Sequence, residues 1–446
     1  MKNSHDLWYI ALLLSGLILI AGCDKKPTAP EPPESWTTLE CGTNSGTGCA
    51  PSSQRVDLVK PTFSNPTKIT NPLFPVSEVT QTLLLGHVEG KPLHVVYTLL
   101  PGARTIAWDD KQIETLIVQY IAHLDGRIVE AAIDWYAQAD DGAVWYFGED
   151  VFNYEDGIVV DTDGTWLAGE DGPVAMIMAA NPKVGDVYRV ENIPGLVFEE
   201  VTIKSIDQNV DGPLGPVNGA MVGRQLHMDG SFSDKTFGPG YGEFVTATNT
   251  ELEALALAVP INALPGPSPT ELKSILTDAL RILDTAKSGD WTATSAILNT
   301  MTEVWATFRA GDNLPKMPAA QMSDALDALA RAIGIRNLAE VSHAAIVVAE
   351  ASLDLQLRHR PPAEIDLARF DIWVRQFLAD AEAGDYGAVK GDLATMEWIL
   401  DRLDSSSSGQ INAQLRDLRA VADAGNLAAT SEVAERLHDT LIRLKK

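Results

Sequence analysis

The chain carries two patterns of hydrophobic and polar positions, one on each side of a proline-rich stretch. Between residues 68 and 246, short runs alternate apolar and polar side chains, as in residues 114–121 and 144–147. Asp-Gly pairs separate several runs and begin at Asp125, Asp141, Asp156, Asp163 and Asp171. A period of two is typical of strands, and Asp-Gly accepts the positive φ of a tight hairpin turn. The pattern predicts an antiparallel all-β domain over residues 66–250, folded as a sandwich or a partial barrel.

The second pattern is helical and covers residues 268–446, which are rich in Ala and Leu. A repeated unit places glycine before Asp or Asn, at Gly289-Asp290, Gly384-Asp385 and Gly425-Asn426, with a degenerate copy at residues 334–338. Glycine ends a helix at positive φ, and Asp or Asn caps the next helix. We therefore predict four helical hairpins, or eight helices, packed as a bundle.

Several boundaries follow from local composition. Prolines at positions 260, 265, 267 and 269 mark residues 251–267 as a linker. Ser268 is predicted to cap the first helix, because Pro269 suits a first turn and Glu271 completes a capping box. The serine run at residues 405–409 predicts a flexible loop before the last hairpin. Gly391 is predicted to lie within a helix.

The chain start has the form of an export signal. An apolar run over residues 7–21 is shorter than a membrane-spanning helix and ends Ile20-Ala21-Gly22-Cys23. This ending resembles the lipobox of bacterial lipoproteins, in which the cysteine is acylated, as with palmitate, after cleavage. The resemblance implies removal of residues 1–22 and a membrane anchor at Cys23. A plain signal peptide with a chance cysteine is the alternative, and Asp6 departs from the usual basic start.

Residues 23–65 are predicted to form the anchor, a proline-rich spacer and a small loop. Asp24 follows the anchor cysteine, which in enteric-type lipoproteins implies retention in the inner membrane. Cys41 and Cys49 flank a glycine-rich loop, and in an oxidising compartment we expect them to form a disulfide. A metal pair is the alternative, although no second pair of Cys or His lies nearby. The expected location is the cell envelope, facing the periplasm or the exterior.

Charge excludes one class of partner. The 446 residues include 61 acidic and 34 basic side chains, for a formal net charge of −27. Such a chain is repelled by phosphate backbones, so nucleic-acid binding is not expected. The membrane, reached through lipid on Cys23, is the expected partner, and another envelope protein is a second.

Landmarks in the β region carry a second resemblance. They include residues 134–138, 144–150, 164–172, 185–189 and 240–242. Together they resemble a widespread family of exported all-β bacterial proteins to which no activity is assigned. The resemblance spans about 180 residues, implies an all-β secreted module and brings no catalytic residues.

Acidic landmarks of the β domain are candidate ligand-binding residues. Asp134, Glu149, Asp150 and Glu170 would bind a polar ligand or calcium, or serve glycoside hydrolysis, if they gathered at one sheet end. The simpler interpretation is that such carboxylates bond their own turns. Trp135, Trp145 and Trp166 are predicted to be core residues rather than a sugar platform, and His227-Met228 is a weak copper pair.

The helical region offers one candidate metal site. Glu340-x-x-His343 and Glu435-x-x-His438 each place a carboxylate and an imidazole one turn apart, as carboxylate di-iron bundles do. The simpler interpretation is a solvent-facing stripe. Single hairpins here loosely resemble the helical domains of periplasmic iron-uptake and imelysin-type proteins, a resemblance that transfers no residues.

The sequence as a whole predicts a membrane-tethered exported lipoprotein with a noncatalytic ligand-binding or structural role. It contains no nucleophile elbow, phosphate loop or His-Glu-x-x-His motif. No cofactor is expected. The first alternative is a periplasmic protein that handles iron or copper with its bundle, which would bring a metal ion. The second is an exported hydrolase that uses the β-domain carboxylates.

Overall fold

The computed structural model describes residues 49–247, 251–311, 313–403, 405–425 and 427–444. They form two compact units. The first runs to Leu255 and holds the strands, and the second runs from Ala256 and holds the helices. The short segments Asp125–Ile128 and Tyr154–Ile158 are counted with the second unit.

The first unit is one antiparallel sheet, preceded by irregular chain and a 3-10 turn at Ser52–Gln54. In the described residues its fourteen strands are β1 (Gln81–Val88), β2 (Lys91–Trp108), β3 (Lys111–Leu124), β4 (Arg127–Gln138), β5 (Val144–Glu155), β6 (Ile158–Asp161), β7 (Trp166–Leu167), β8 (Ala175–Met178), β9 (Val187–Ile193), β10 (Val197–Gly212), β11 (Gly215–His227), β12 (Phe232–Gly238), β13 (Gly242–Ala247) and β14 (Glu251–Val259). The predicted antiparallel all-β architecture is confirmed.

Most neighbouring strands in the sheet are also neighbours in sequence. The order is β6-β5-β4-β3-β2-β1-β14-β13-β12-β11-β10-β9, and β7 and β8 also pair with β5. The exception is the pairing of β1 with β14. Strand β14 lies between β1 and β13 and so joins the two halves of the sheet. Gly86 permits this pairing, because a Cβ there would lie 1.4 Å from the carbonyl oxygen of Leu252.

Strand β14 corrects the predicted linker. Residues 251–259 alternate as Glu-Leu-Glu-Ala-Leu-Ala-Leu-Ala-Val, and they form a strand rather than a linker. The predicted boundary at residue 250 is therefore too early, since the prolines that suggested a linker begin only at Pro260.

Two predicted Asp-Gly turns have the backbone that the sequence required. Asp125 and Gly126 have φ of 51° and 75° between β3 and β4, and Asp156 and Gly157 have φ of 48° and 71° between β5 and β6. Positive φ at both central residues is the type I′ geometry whose twist matches paired strands.

The second unit contains eight helices among the described residues, as predicted. They are α1 (Thr270–Lys287), α2 (Trp291–Arg309), α3 (Lys316–Ile335), α4 (Leu338–Gln356), α5 (Pro362–Ala383), α6 (Tyr386–Leu400), α7 (Ser405–Asp423) and α8 (Leu427–Leu444). Gly289, Gly384 and Gly425 have φ of 77°, 76° and 69°. Each of these glycines lies between two helices of a hairpin, which confirms the repeated unit.

Capping follows the predicted chemistry in three of the hairpins. Asp290 and Asp385 accept hydrogen bonds from the backbone of Ala293 and Ala388, each at 2.9 Å. In the degenerate copy Asn337 is the cap, and Arg336 takes the left-handed position with φ of 55°. Asn426, the cap predicted for the last hairpin, lies outside the described residues.

Two local predictions in the helical unit are wrong. Ser268 does not cap α1; its hydroxyl donates to Gln356 at 3.1 Å, and Pro269 occupies the cap position. Residues 405–409 belong to α7 rather than to a loop, since serine is favoured where a helix starts. Gly391 lies within α6, as predicted, and is buried there.

Candidate functional site

The sheet unit contains a partly open cavity of about 160 Å³. Side chains of β1–β5 and β8–β12 line it, together with β13 and the irregular segment at residues 74–79. Phe74, Val76 and Tyr241 in this lining are only half-buried, which marks the side on which the cavity approaches solvent. A cavity of this size is similar to the engineered one of about 150 Å³ that binds benzene.

In the polar part of the site, strand pairing places acidic residues opposite each other. The register sets Asp134 opposite Glu149 across β4 and β5, and Glu191 opposite Glu199 across β9 and β10. All four carboxyls are buried, Glu149 with 0% and Glu191 with 1% of its surface exposed. Directly opposed like charges destabilise a sheet, and burial makes each charge more costly. For Asp134, Glu149 and Glu191 the arrangement therefore favours the neutral, protonated carboxyl.

Two tyrosine pairs are built in the same way. The register sets Tyr97 opposite Tyr120 on β2 and β3, and Tyr136 opposite Tyr146 on β4 and β5. The rings of Tyr97 and Tyr120 meet edge to face with centroids 5.0 Å apart, and those of Tyr136 and Tyr146 stack at 4.8 Å. All four tyrosines line the cavity, so its wall combines aromatic faces with phenolic hydroxyls.

Burial shifts the carboxyl pKa values in one direction. It raises the pKa of Asp134 to about 7, although a hydrogen bond from the Tyr146 hydroxyl at 2.7 Å opposes the shift. Burial also raises the pKa of Glu149 well above its usual value, helped by the charge of Asp134. The pKa of Glu191 rises in the same way, through burial and then through the charges of Glu199 and Glu149. For both glutamates burial therefore favours the protonated carboxyl over the ionised one.

Part of this polar lining has no protein partner. The hydroxyl of Tyr120 makes no hydrogen bond with a described residue, although it is nearly inaccessible to bulk solvent. The carboxyl of Glu191, by contrast, is hydrogen-bonded to that of Glu149. Tyr120 and Glu191 both line the cavity. A buried polar group without a partner costs about 1–3 kcal/mol, and this cost is removed when a bound molecule supplies the missing hydrogen bond.

Lys235 is the one basic side chain in the described lining of the cavity. Its ammonium lies 3.6 Å from the carboxylate of Glu243, and both side chains are 17% exposed. Burial lowers the pKa of Lys235, but the negative charges of Glu243, Glu199 and Glu253 outweigh this effect and raise it above its usual value. The positive charge of Lys235 is therefore balanced by Glu243, in the more exposed part of the cavity lining.

A buried hydrogen-bonded chain lies behind Glu199. The His227 ring places Nδ1 2.7 Å from Glu199 Oε1 and Nε2 2.9 Å from Ser233 Oγ. This is the connectivity of a Ser-His-acid triad. Ser233, however, is only 2% exposed and lies within strand β12, so its hydroxyl is not presented to a substrate. The chain fixes Glu199, and it occupies both ring nitrogens of the histidine suggested for copper.

The four ligand candidates in the β domain separate into two groups. Asp134 and Glu149 are brought together in the interior. Asp150, with its side chain 50% exposed, lies 3.9 Å from Arg104, and Glu170 is exposed in a turn. Because side chains alternate along a strand, Asp150 follows Glu149 onto the other face of β5. Trp135, Trp145 and Trp166 are buried in the core, as predicted.

The candidate metal ligands of the bundle have other roles or lie at the surface. Glu340 is exposed and accepts a hydrogen bond from Asn337 at 2.7 Å, and His343 and Glu435 are exposed. His438 places Nδ1 2.6 Å from Asp371 and Nε2 3.2 Å from Arg375. Over the described ranges, no three His, Cys, Asp or Glu side chains gather as metal ligands would.

The predicted lipid anchor and disulfide involve residues that lie before or at the start of the described chain. Cys23, Asp24 and Cys41 lie outside the described residues, and Cys49 is half-buried at their start. Acylation of Cys23 and pairing of Cys41 with Cys49 therefore stay predictions.

Glu191, Glu199 and the tyrosine pairs were missed by the sequence analysis. Strand β9 is buried at every position, as are the first five residues of β10, so no alternation distinguished inward glutamates there. For Glu199 the usable signal was the opposite of alternation: Glu199 and Glu200 stand between Val197-Phe198 and Val201, in a segment otherwise apolar enough to be buried on both faces.

Comparison of the chain with models of known protein families and with curated proteins found no match. In the part of the chain that the structure describes, none of the helices combines the length and the apolar character needed to span a membrane.

Proposed function

We propose that this protein is an exported, membrane-tethered lipoprotein whose sheet unit binds a small organic molecule in its internal cavity. The observation that carries the proposal is the cavity itself, whose lining includes the buried Tyr120 hydroxyl, which has no hydrogen-bond partner among the described residues. In this account the helical unit supplies a second interaction surface, which binds the membrane or another envelope protein.

The size and lining of the cavity define the ligand. Because its volume of about 160 Å³ is close to that of a benzene-binding cavity, the ligand has roughly the size of one substituted ring. Apolar and aromatic side chains give most of the contact, and a few polar groups fix the orientation, as in most small-molecule sites.

Binding without catalysis agrees best with the placement of the reactive groups. A glycosidase needs two carboxyls on either side of a substrate, one ionised and one protonated. Asp134 and Glu149 instead oppose each other within the sheet, Glu170 is remote in a turn, and Ser233 is buried. No observation on the described residues supports the hydrolase alternative or the metal-handling alternative.

The lipoprotein part of the proposal rests on the residues around Cys23. We expect labelled palmitate to enter the wild-type protein in its host and to be absent from Cys23→Ser, because the thiol at that position is the acyl acceptor. The Cys41→Ser variant is the matched control and should still be labelled. Equal labelling of wild type and Cys23→Ser would overturn the membrane tether without affecting the cavity.

Ligand binding is tested by filling the cavity. Ala132 lines it and is 1% exposed, whereas Ala103 lies exposed on β2 of the same sheet. We expect Ala132→Phe to abolish the binding of small aromatic probes, measured by ligand-observed NMR on the lipid-free chain from residue 24. Ala103→Phe adds the same side chain and should bind as wild type does.

A folding defect in Ala132→Phe would be seen in its circular dichroism. In that case Val118→Phe, which fills the cavity from β3, replaces it. Binding that survives in a folded cavity-filled variant, or wild-type protein that binds no probe, would contradict the proposed function.

A further inference from the structure

We infer that the ligand is an uncharged molecule about the size of one ring, and that it presents a carbonyl oxygen as hydrogen-bond acceptor to the hydroxyl of Tyr120. This inference rests on the proposed function and specifies its ligand. Two features of the described cavity lining lead to it. The groups that can carry a charge are paired within the protein or favour their neutral form, whereas one hydroxyl has no partner.

Several ionisable groups of the lining are engaged by other side chains. The ammonium of Lys235 lies 3.6 Å from the carboxylate of Glu243. The carboxyl of Glu199 is hydrogen-bonded to the His227 ring at 2.7 Å and to the amide of Gln225. A charged ligand would have to compete with these contacts for a group of opposite charge.

The other two carboxyls of the lining favour a form without charge. Burial raises the pKa of Asp134 and of Glu191, and so favours the protonated carboxyl of each. An ion that enters such a lining loses its hydration, and a neutral carboxyl supplies no opposite charge to offset that loss. An uncharged molecule loses far less hydration, so the lining selects against charge of either sign.

Tyr120 is the lining residue whose hydrogen bonding is incomplete. Its hydroxyl has no partner among the described residues, although the side chain is only 4% exposed. Other buried tyrosines of the lining differ in this respect. The hydroxyl of Tyr146 donates to Asp134 at 2.7 Å. That of Tyr188 lies 3.9 Å from the sulfur of Met178. A ligand that bonds to Tyr120 therefore removes a cost that the empty protein carries.

The missing partner of Tyr120 is an acceptor. Burial raises the pKa of Tyr120 well above its usual value, and the charges of Glu130 and Glu253 add to the shift, so the hydroxyl keeps its proton. A phenol has one proton to donate, and a buried donor without an acceptor is rarer in folded proteins than an acceptor without a donor. A carbonyl oxygen accepts this proton and brings no donor that would itself need a partner.

The surroundings of Tyr120 suit the ring that carries the acceptor. The Tyr97 ring packs edge to face against that of Tyr120, with centroids 5.0 Å apart, and so restricts it before a ligand binds. Val118 lies two positions earlier on the same face of β3, and Val201 and Ala132 add apolar lining from β10 and β4. An apolar wall with a few placed polar groups is typical of sites for small molecules.

Acetophenone and α-methylstyrene test this inference, because they have nearly the same shape and differ by a carbonyl oxygen against a CH2 group. Ligand-observed NMR titrations give their dissociation constants for the wild-type lipid-free chain and for Tyr120→Phe. The substitution should weaken acetophenone by about tenfold and leave α-methylstyrene within about twofold, as expected for one buried hydrogen bond. The probes also differ in their transfer from water, but this difference is the same for both proteins and cancels.

Three further measurements serve as controls. Tyr386→Phe removes the same atom from an exposed tyrosine of the helical unit and should change neither affinity. Benzylamine and benzoate are ring-sized and charged at neutral pH, and wild type should bind each at least about tenfold more weakly than acetophenone. Tyr120→Phe should keep the melting temperature of the ligand-free protein, because its hydroxyl has no hydrogen bond to lose.

The outcomes separate the two proposals. Undiminished acetophenone binding by Tyr120→Phe, or an equal loss of both probes in a variant that melts as wild type does, would overturn the carbonyl inference. Benzylamine or benzoate that binds wild type as tightly as acetophenone would overturn it too. Failure of acetophenone, α-methylstyrene and both ions to bind wild type would overturn the proposed function itself. Retained α-methylstyrene binding also shows that Tyr120→Phe is folded.

Discussion

The sheet unit of the ligand-free protein should lose stability as the pH rises from about 5 to about 8. Burial raises the pKa of Glu130 and of Glu253 from 4.5 to about 8, with nearby acids adding to the shift, and burial raises that of Asp134 to about 7. The unfolded chain releases these protons near their usual pKa values. Between the two limits the folded state therefore binds more protons than the unfolded state, and stability decreases with pH.

The expected effect is large because several groups act together. Each such carboxyl lowers the free energy of unfolding by up to about 1.4 kcal/mol per pH unit within its window, and the loss ends once the folded-state carboxyls ionise. Thermal unfolding followed by the infrared amide I band of the sheet measures this separately from the helices.

Matched variants identify the carboxyls responsible. Glu130→Gln combined with Glu253→Gln keeps the shape of both side chains but removes their titration, so the pH dependence should flatten. Glu170→Gln, at an exposed position, should leave it unchanged. Sheet stability that is constant or increases over this interval would mean that the buried carboxyls are already ionised in the folded protein.

In the helical unit, Arg369→Met should lower the free energy of unfolding by about 3–5 kcal/mol. The Arg369 guanidinium lies 2.7 Å from Asp354 and 3.1 Å from Asp366, with all three side chains buried. Arg402 completes this network at 3.4 Å from Asp366. Methionine retains the length of the side chain but removes the charge of Arg369 from beside Asp354 and Asp366 in a region of low dielectric.

An ion pair at the surface, with the same distance between nitrogen and oxygen, provides the control. Arg436 lies 2.7 Å from Glu432, as Arg369 does from Asp354, but its side chain is 53% exposed and that of Glu432 is 77% exposed. Arg436→Met should therefore cost less than about 1 kcal/mol. Urea denaturation followed at the helical circular dichroism signal compares the two. A similar small cost for both substitutions would show that the buried network contributes little to the fold.

Local signals in the sequence predicted the elements, but not how they pair. Asp125-Gly126 and Gly384-Asp385 determine backbone geometry within a few residues, so the hairpins in both units could be read directly. Asp134 and Glu149 were recognised as candidate ligands because they are acidic landmarks of the β region that could gather at one sheet end. Their direct opposition depends on the register of β4 and β5, which includes an irregularity between Asp134 and Tyr136 that no local pattern shows.

The rest of the site depends on contacts between distant parts of the chain. Glu191 and Glu199 reach the cavity together with Tyr97 and Tyr120 only after β14 joins the two halves of the sheet. The alternating apolar residues of β14 were assigned to a linker, because the prolines beyond them dominated the interpretation. The paired Glu-x-x-His motifs show the converse: spacing along a helix sets which residues share a face, but not whether two such faces meet.

A crystal structure of the lipid-free chain with 4-bromobenzyl alcohol tests the central claim most directly. The bromine gives an anomalous signal that locates the ligand independently of the surrounding density. Our account predicts a bromine peak inside the cavity of the sheet unit, among Tyr97, Tyr120 and Val201. An empty cavity in crystals that hold the compound elsewhere, at a concentration that saturates binding in solution, would contradict it.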